Sequence, residues 1–179
     1  MLAHGGLIGA AGASGGGAEP ATGTVIIGTS SLGTIQDVYP WVDTVHGDSA
    51  AVAASWAESA STTTLGKILL RAAGWDGGNL KGLLYSSAGG LLATTNPLSV
   101  VYGSEQTFEL AFASPPTIAK GTSYILAIIF DANYAVKLNI RTGTGNLDYN
   151  QEGAYASPPT SIGSWSNMQA GQAAIWGVK

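Results

Sequence analysis

From Thr22 to the C-terminus, short apolar or β-branched runs alternate with glycine, proline, asparagine and aspartate roughly every 8–12 residues. This rhythm constrains the fold more than any other feature of the chain. Runs this short are poor helices, and their content suits strands. The clearest is QTFELAF, 106–112, where Phe108, Leu110 and Phe112 alternate with Thr107, Glu109 and Ala111. Successive side chains leave opposite faces of a pleated strand, so period two predicts a half-buried antiparallel strand. SYILAIIF, 123–130, is apolar almost throughout and predicts a fully buried strand. TVIIG (24–28), GKILLRAAG (66–74), NLKGLLYS (79–86), YAVKLNIR (134–141) and QAAIWGV (172–178) read as further strands. In DVYPWVDTVHG, 37–47, Val38, Val42 and Val45 are the inward positions, and Pro40 pushes the run to an edge or a bend. AVAASWAES, 51–59, is ambiguous, because its alanines also suit a helix. No long helical pattern separates these runs, and no repeat of fixed period occurs. The expected fold is all-β, an antiparallel β-sandwich. Eight or more strands favour the jelly-roll type over a small barrel.

Residues 1–21 differ in kind. They form a glycine- and alanine-rich arm ahead of the sandwich domain, 22–179. Glycine loses the most backbone freedom on ordering, so such an arm is expected to become fixed only against neighbours. Leu2, Leu7 and Ile8 are the candidate anchors for assembly. The arm has no basic start and its apolar stretch is broken by glycines, which argues against a signal peptide. No apolar run is long enough to span a bilayer, so no membrane insertion is expected.

KGLLYSSAGGLLATTNP, 81–97, poses a sharper question, because glycines between apolar runs can cradle a phosphate or make a turn. No Lys-Ser or Lys-Thr follows the glycines and no helix is predicted after them. The reading is therefore a hairpin, with Gly89 and Gly90 supplying positive φ. In this region Tyr85, Gly89, Leu92, Ala93, Gly121, Thr122, Tyr124, Leu126 and Ala127 follow a recurrent order. A strand ends in a Tyr-Ser turn, then come a glycine, a Leu-Leu-Ala strand and a proline-led Gly-Thr-x-Tyr-x-Leu-Ala element. Over about residues 50–140 the chain resembles a jelly-roll module of bacterial surface proteins and phage structural proteins. The Pro-Gly often found after the turn in that module is replaced by Gly90-Leu91. The resemblance implies a fold and carries no catalytic residue.

Candidate chemistry is sparse. GASGG, 12–16, has the spacing of a serine-hydrolase elbow but sits in the arm, without the strand and helix that the elbow needs. The two histidines, His4 and His46, form no cluster, and cysteine is absent, so no disulfide and no transition-metal site is expected. Asp131 with Asn133 reads as an Asx turn. Asp148, Asn150 and Glu152 alternate but do not match a calcium loop, which makes calcium a minor alternative. No catalytic residue and no cofactor is expected.

Segment 142–171 breaks the strand rhythm and reads as a long polar loop. Loops of this length are usually functional or disordered. Asp148, Tyr149, Tyr155 and Trp165 are its candidates for contact with a glycan or a protein partner, whereas Trp56, Trp75 and Trp176 read as core. Charged residues make up 10% of the chain, against roughly 25% in typical soluble domains. A surface this poor in charge is tolerated in secreted and virion proteins. The net charge of −4 offers no footprint for nucleic acid.

The resulting expectation is a non-enzymatic virion structural protein of a bacteriophage, of the capsid-decoration or tail-fibre type. It would dock by its arm, touch other capsid or tail proteins and form a homo-oligomer. The alternative is a carbohydrate-binding module that attaches to a host surface glycan.

Overall fold

The structure, a computed structural model, describes residues 24–28, 30, 34–35, 52–53, 55–58, 62–74, 77–131, 136–147, 149–150, 155–162 and 169–179. In chain order the strands begin with β1 (Ile27–Gly28), β2 (Thr34–Ile35), β3 (Val52–Ala53), β4 (Ser55–Glu58) and β5 (Thr63–Thr64). Next come β6 (Lys67–Gly74), β7 (Gly78–Ser86), β8 (Leu91–Thr94), β9 (Leu98–Val100), β10 (Glu105–Ala111) and β11 (Thr117–Ile118). The last are β12 (Ser123–Phe130), β13 (Val136–Leu147), β14 (Tyr149–Asn150), β15 (Gln169–Ala173) and β16 (Ile175–Val178). Among the described residues there is no helix, and every strand pair is antiparallel.

Two sheets dominate. The first runs β1-β16-β6-β13-β15, with β10 also on β6 and β2 also on β13. The second runs β4-β12-β7-β8, with β9 also on β7. Pairs β5–β11 and β3–β14 stand apart. The segment 51–59, ambiguous in the sequence, supplies β3 and β4. Its Trp56 pairs through the backbone with Ile125.

The alternation in β10 behaves as a half-buried strand should. Phe108, Leu110 and Phe112 are buried, Glu109 and Ala111 are exposed, and Thr107 is half-buried. Ile68 and Leu70 on β6, Phe108 and Leu110 on β10, Leu80 and Leu84 on β7, and Leu126 and Ile128 on β12 share one apolar cluster. The main core therefore joins side chains of both sheets. Gly82 on β7 marks how close the sheets come, since a Cβ there would lie 3.0 Å from Ile68 Cδ1. Burying one such aliphatic side chain is worth about 1.5–3 kcal/mol. On the first sheet the ion pair Lys67–Glu109 (2.6 Å) is exposed, and Arg71–Glu105 (3.0 Å) is partly buried. An exposed pair such as Lys67–Glu109 contributes about 0–1 kcal/mol, less than one buried aliphatic side chain.

Strands β8 and β9 follow one another along the same edge of β7, and the kink between them holds Pro97. A proline has no N–H, and a kinked edge loses ladder bonds. Thr95, the buried polar residue of the kink, repairs this. Its hydroxyl accepts from the Gly82 N–H at 2.8 Å and donates to the Asn96 carbonyl at 3.0 Å.

Two expectations change, and Asp131 gains a partner the sequence did not signal. Of the pair Gly89-Gly90, only Gly89 has positive φ, +89°. The Gly89 N–H donates to Ser86 O at 2.9 Å and the Ser86 N–H to Gly90 O at 2.8 Å. This is a three-residue hairpin loop closed by one left-handed glycine, which needs only one positive φ. The polar segment beginning at 142 is not irregular at its start, since β13 runs to Leu147 and pairs with β15 across a register shift between Thr142 and Asn146. The Asp131 carboxylate reaches across to β7, accepting from Asn79 N and Asn79 Nδ2 at 2.6 Å each. It ties the end of β12 to the start of β7. Val38, Val42, Val45 and Trp75 lie outside the described residues.

Candidate interaction surfaces

The outer face of the second sheet is built from β7 and β12. Their inner positions fill the main core. Their outer positions, Leu83 and Tyr85 on β7 with Ile125, Ala127 and Ile129 on β12, are apolar and form a second buried cluster. Strands that are apolar on both faces need cover on both. Residues 155–162 provide it here, with Tyr155 and Ile162 packed on the cluster beside Leu91.

This strap is held largely through its main chain. The Leu91 N–H donates to Thr160 O and the Ile162 N–H to Gly89 O, each at 2.9 Å. Gly90 and Ser161 form an antiparallel bridge. Gly89 sits under the strap, and a Cβ there would lie 2.8 Å from Ile162 O. Two side chains of β7 complete the attachment. The Tyr85 hydroxyl donates to Pro159 O at 3.0 Å, and the Lys81 ammonium donates to Tyr155 O at 3.1 Å. The same ammonium stands 4.1 Å from the centre of the Tyr155 ring, a cation–π contact.

The electrostatics favour a latch over acid–base chemistry. Burial pushes the Tyr85 phenol up to about 12. Burial also raises the Tyr155 phenol, and the negative charge of Asp131 raises it further. Both phenols stay neutral at physiological pH. The Tyr155 hydroxyl is buried and has no hydrogen-bond partner among the described residues. Among the described residues no group of three or more histidines, aspartates or glutamates is placed to hold a metal ion. No helix among them is long and apolar enough to cross a membrane.

A second surface lies at the loop after β9. Val101 is 69% exposed and Tyr102 74%, side by side at its tip. Leu92, on the edge strand β8, is 52% exposed where the register of β7 and β8 shifts.

Of the residues singled out in the sequence, Tyr155 is half-buried in the strap, with one ring face under Lys81. Tyr149 is placed by its backbone, in β14, opposite Ala53. Asp148, Trp165, Leu2, Leu7, Ile8, His4 and His46 lie outside the described residues. Trp176 is buried, as a core reading requires. The sequence reading missed Lys81, Tyr85, Asn79, Val101 and Tyr102. Lys81 and Tyr85 stand two and six residues on from Asn79, at alternate positions of β7, which was the available signal that they share a face. Compared with family models, curated proteins and solved structures, the chain has no match.

Proposed function

We propose that this chain is a non-enzymatic structural protein of a bacteriophage particle, of the capsid-decoration or tail-fibre type. In this reading the two sheets form a jelly-roll β-sandwich that projects from the particle, and the arm of residues 1–21 docks it there. The observation that carries the reading is the combination of a scaffold sealed on its inner face and under the strap with a small apolar tip at Val101 and Tyr102. A protein whose task is contact needs a rigid frame and a compact patch that another protein can cover. The 10% charge content supports the same task, because weakly charged faces cost little to bury against neighbours. The partners are other virion proteins and further copies of the chain, and the location is the virion.

Deleting residues 1–20 tests the docking step. The truncated chain is expected to keep the far-ultraviolet circular dichroism of a β protein and to lose co-sedimentation with particles. Retained co-sedimentation would remove the arm from its role as anchor.

A further inference from the structure

The strap, residues 155–162, is attached differently from the strands beneath it. Strand β12 meets β7 in one continuous register, from Tyr124 opposite Ser86 to Phe130 opposite Leu80. The strap meets the β7–β8 hairpin at scattered points. Among the described residues its main-chain bonds there are Leu91 N–H to Thr160 O and Ile162 N–H to Gly89 O. The Tyr85 hydroxyl and the Lys81 ammonium add one bond each, to Pro159 O and Tyr155 O. The strap also buries little of itself. Tyr155 and Ile162 are half-buried, and Ala156, Ser157, Thr160 and Ser161 are exposed, whereas Leu83 and Tyr85 beneath are fully buried.

We propose that residues 155–162 act as a lid, lifting from the β7–β8 hairpin as one unit while the two sheets stay folded, and so uncovering the apolar face at Tyr85 and Leu91. The polar balance favours release. The carbonyls of Tyr155, Pro159 and Thr160 accept three of the bonds, and water solvates them as soon as the strap lifts. Their donors, the Lys81 ammonium, the Tyr85 hydroxyl and the Leu91 N–H, meet water in the same step. Opening therefore strands none of these groups, and a stranded buried group is the large cost in breaking a hydrogen bond. The closed strap, in contrast, buries the Tyr155 hydroxyl with no partner among the described residues, a cost that opening removes. Pro158 and Pro159 fix φ and stiffen the middle of the segment, so it lifts in one piece and does not fray residue by residue. Segments with few buried contacts open locally, ahead of the core. The inference concerns the free chain and does not rest on the particle reading.

Amide hydrogen exchange of the full chain under native conditions reads the motion. Leu91 and Thr95 lie on the same edge of the second sheet, but the Leu91 N–H bonds the strap and the Thr95 N–H bonds Gly82 O of β7. If the strap lifts alone, the Leu91 and Ile162 amides share one opening equilibrium and exchange at least about tenfold faster than Thr95, after correction for intrinsic rates. The chain has no cysteine, and Gly90 and Ser161 are antiparallel bridge partners, so a disulfide between them can lock the strap. A Cβ on Gly90 meets Ser86 Oγ at 3.4 Å, which leaves room for the thiol. In the double variant Gly90→Cys, Ser161→Cys, oxidation is expected to slow the Leu91 and Ile162 amides to the level of Thr95, and reduction to release them. The proposal is overturned if Leu91 and Ile162 exchange no faster than Thr95 in the parent chain, a comparison that needs no variant. It is also overturned if the two amides differ from each other as much as from Thr95, or if the oxidised disulfide leaves their exchange unchanged. None of these outcomes depends on particle attachment, so the two readings fail separately.

Discussion

Replacing Thr95 by valine removes one hydroxyl and keeps the shape of the side chain. Thr95 is 4% exposed and its Oγ1 takes the Gly82 N–H at 2.8 Å, in the kink where β8 passes to β9. Gly82 is buried between the sheets, with Ile68 against it, so water cannot replace the lost acceptor. A buried donor left without a partner costs about 1–3 kcal/mol. The Asn96 carbonyl also loses a donor, but Asn96 is exposed and is solvated instead. Thr95→Val is therefore expected to destabilise the fold by about 1–3 kcal/mol. Thr95→Ser keeps the hydroxyl and loses one methyl group, at about 0.8 kcal/mol. Urea unfolding followed by tryptophan fluorescence reads both variants. The midpoint should fall further for valine than for serine, with the slope unchanged. A valine variant as stable as the parent, or less perturbed than the serine variant, would refute the idea that this hydroxyl replaces a missing ladder bond.

The strap gives the remaining predictions. Lys81→Met should loosen residues 155–162 by about 1 kcal/mol, seen as faster hydrogen exchange at the Ile162 amide with core amides unchanged. Gly89→Ala should cost more than 1 kcal/mol, because φ is +89° and a Cβ meets Ile162 O at 2.8 Å, and it should shift the thermal midpoint downward. The Tyr85 phenol titrates near 12 in the folded chain and near 10 when unfolded, so the native state holds its proton longer. Its contribution is fully present below pH 10 and is lost as the pH rises from about 10 to 12. Tyr85→Phe should lower stability at neutral pH by about 1 kcal/mol through the lost bond to Pro159 O, and should flatten the alkaline fall in stability.

Much of the scaffold was legible because it is written in side-chain alternation. Phe108, Leu110 and Phe112 declare β10, and the unbroken run 123–130 declares a strand buried on both faces. The strap was not legible, for a physical reason. Its attachment runs through the carbonyls of Tyr155, Pro159 and Thr160, and a carbonyl leaves no mark in a sequence. Asp131 shows a second limit, since its residue type signals a local turn but nothing in the sequence signals that its carboxylate also bonds Asn79 on another strand. Tyr155 was noticed as an aromatic in a polar stretch, but the cation beside it comes from Lys81, far away in the chain.

Quantitative mass spectrometry of purified particles, calibrated with isotope-labelled peptides of this chain, bears most directly on the structural role. Many copies per particle, retained through density-gradient purification, are the expected result. A chain found only in the soluble fraction of the lysate, and missing from intact particles, would contradict it.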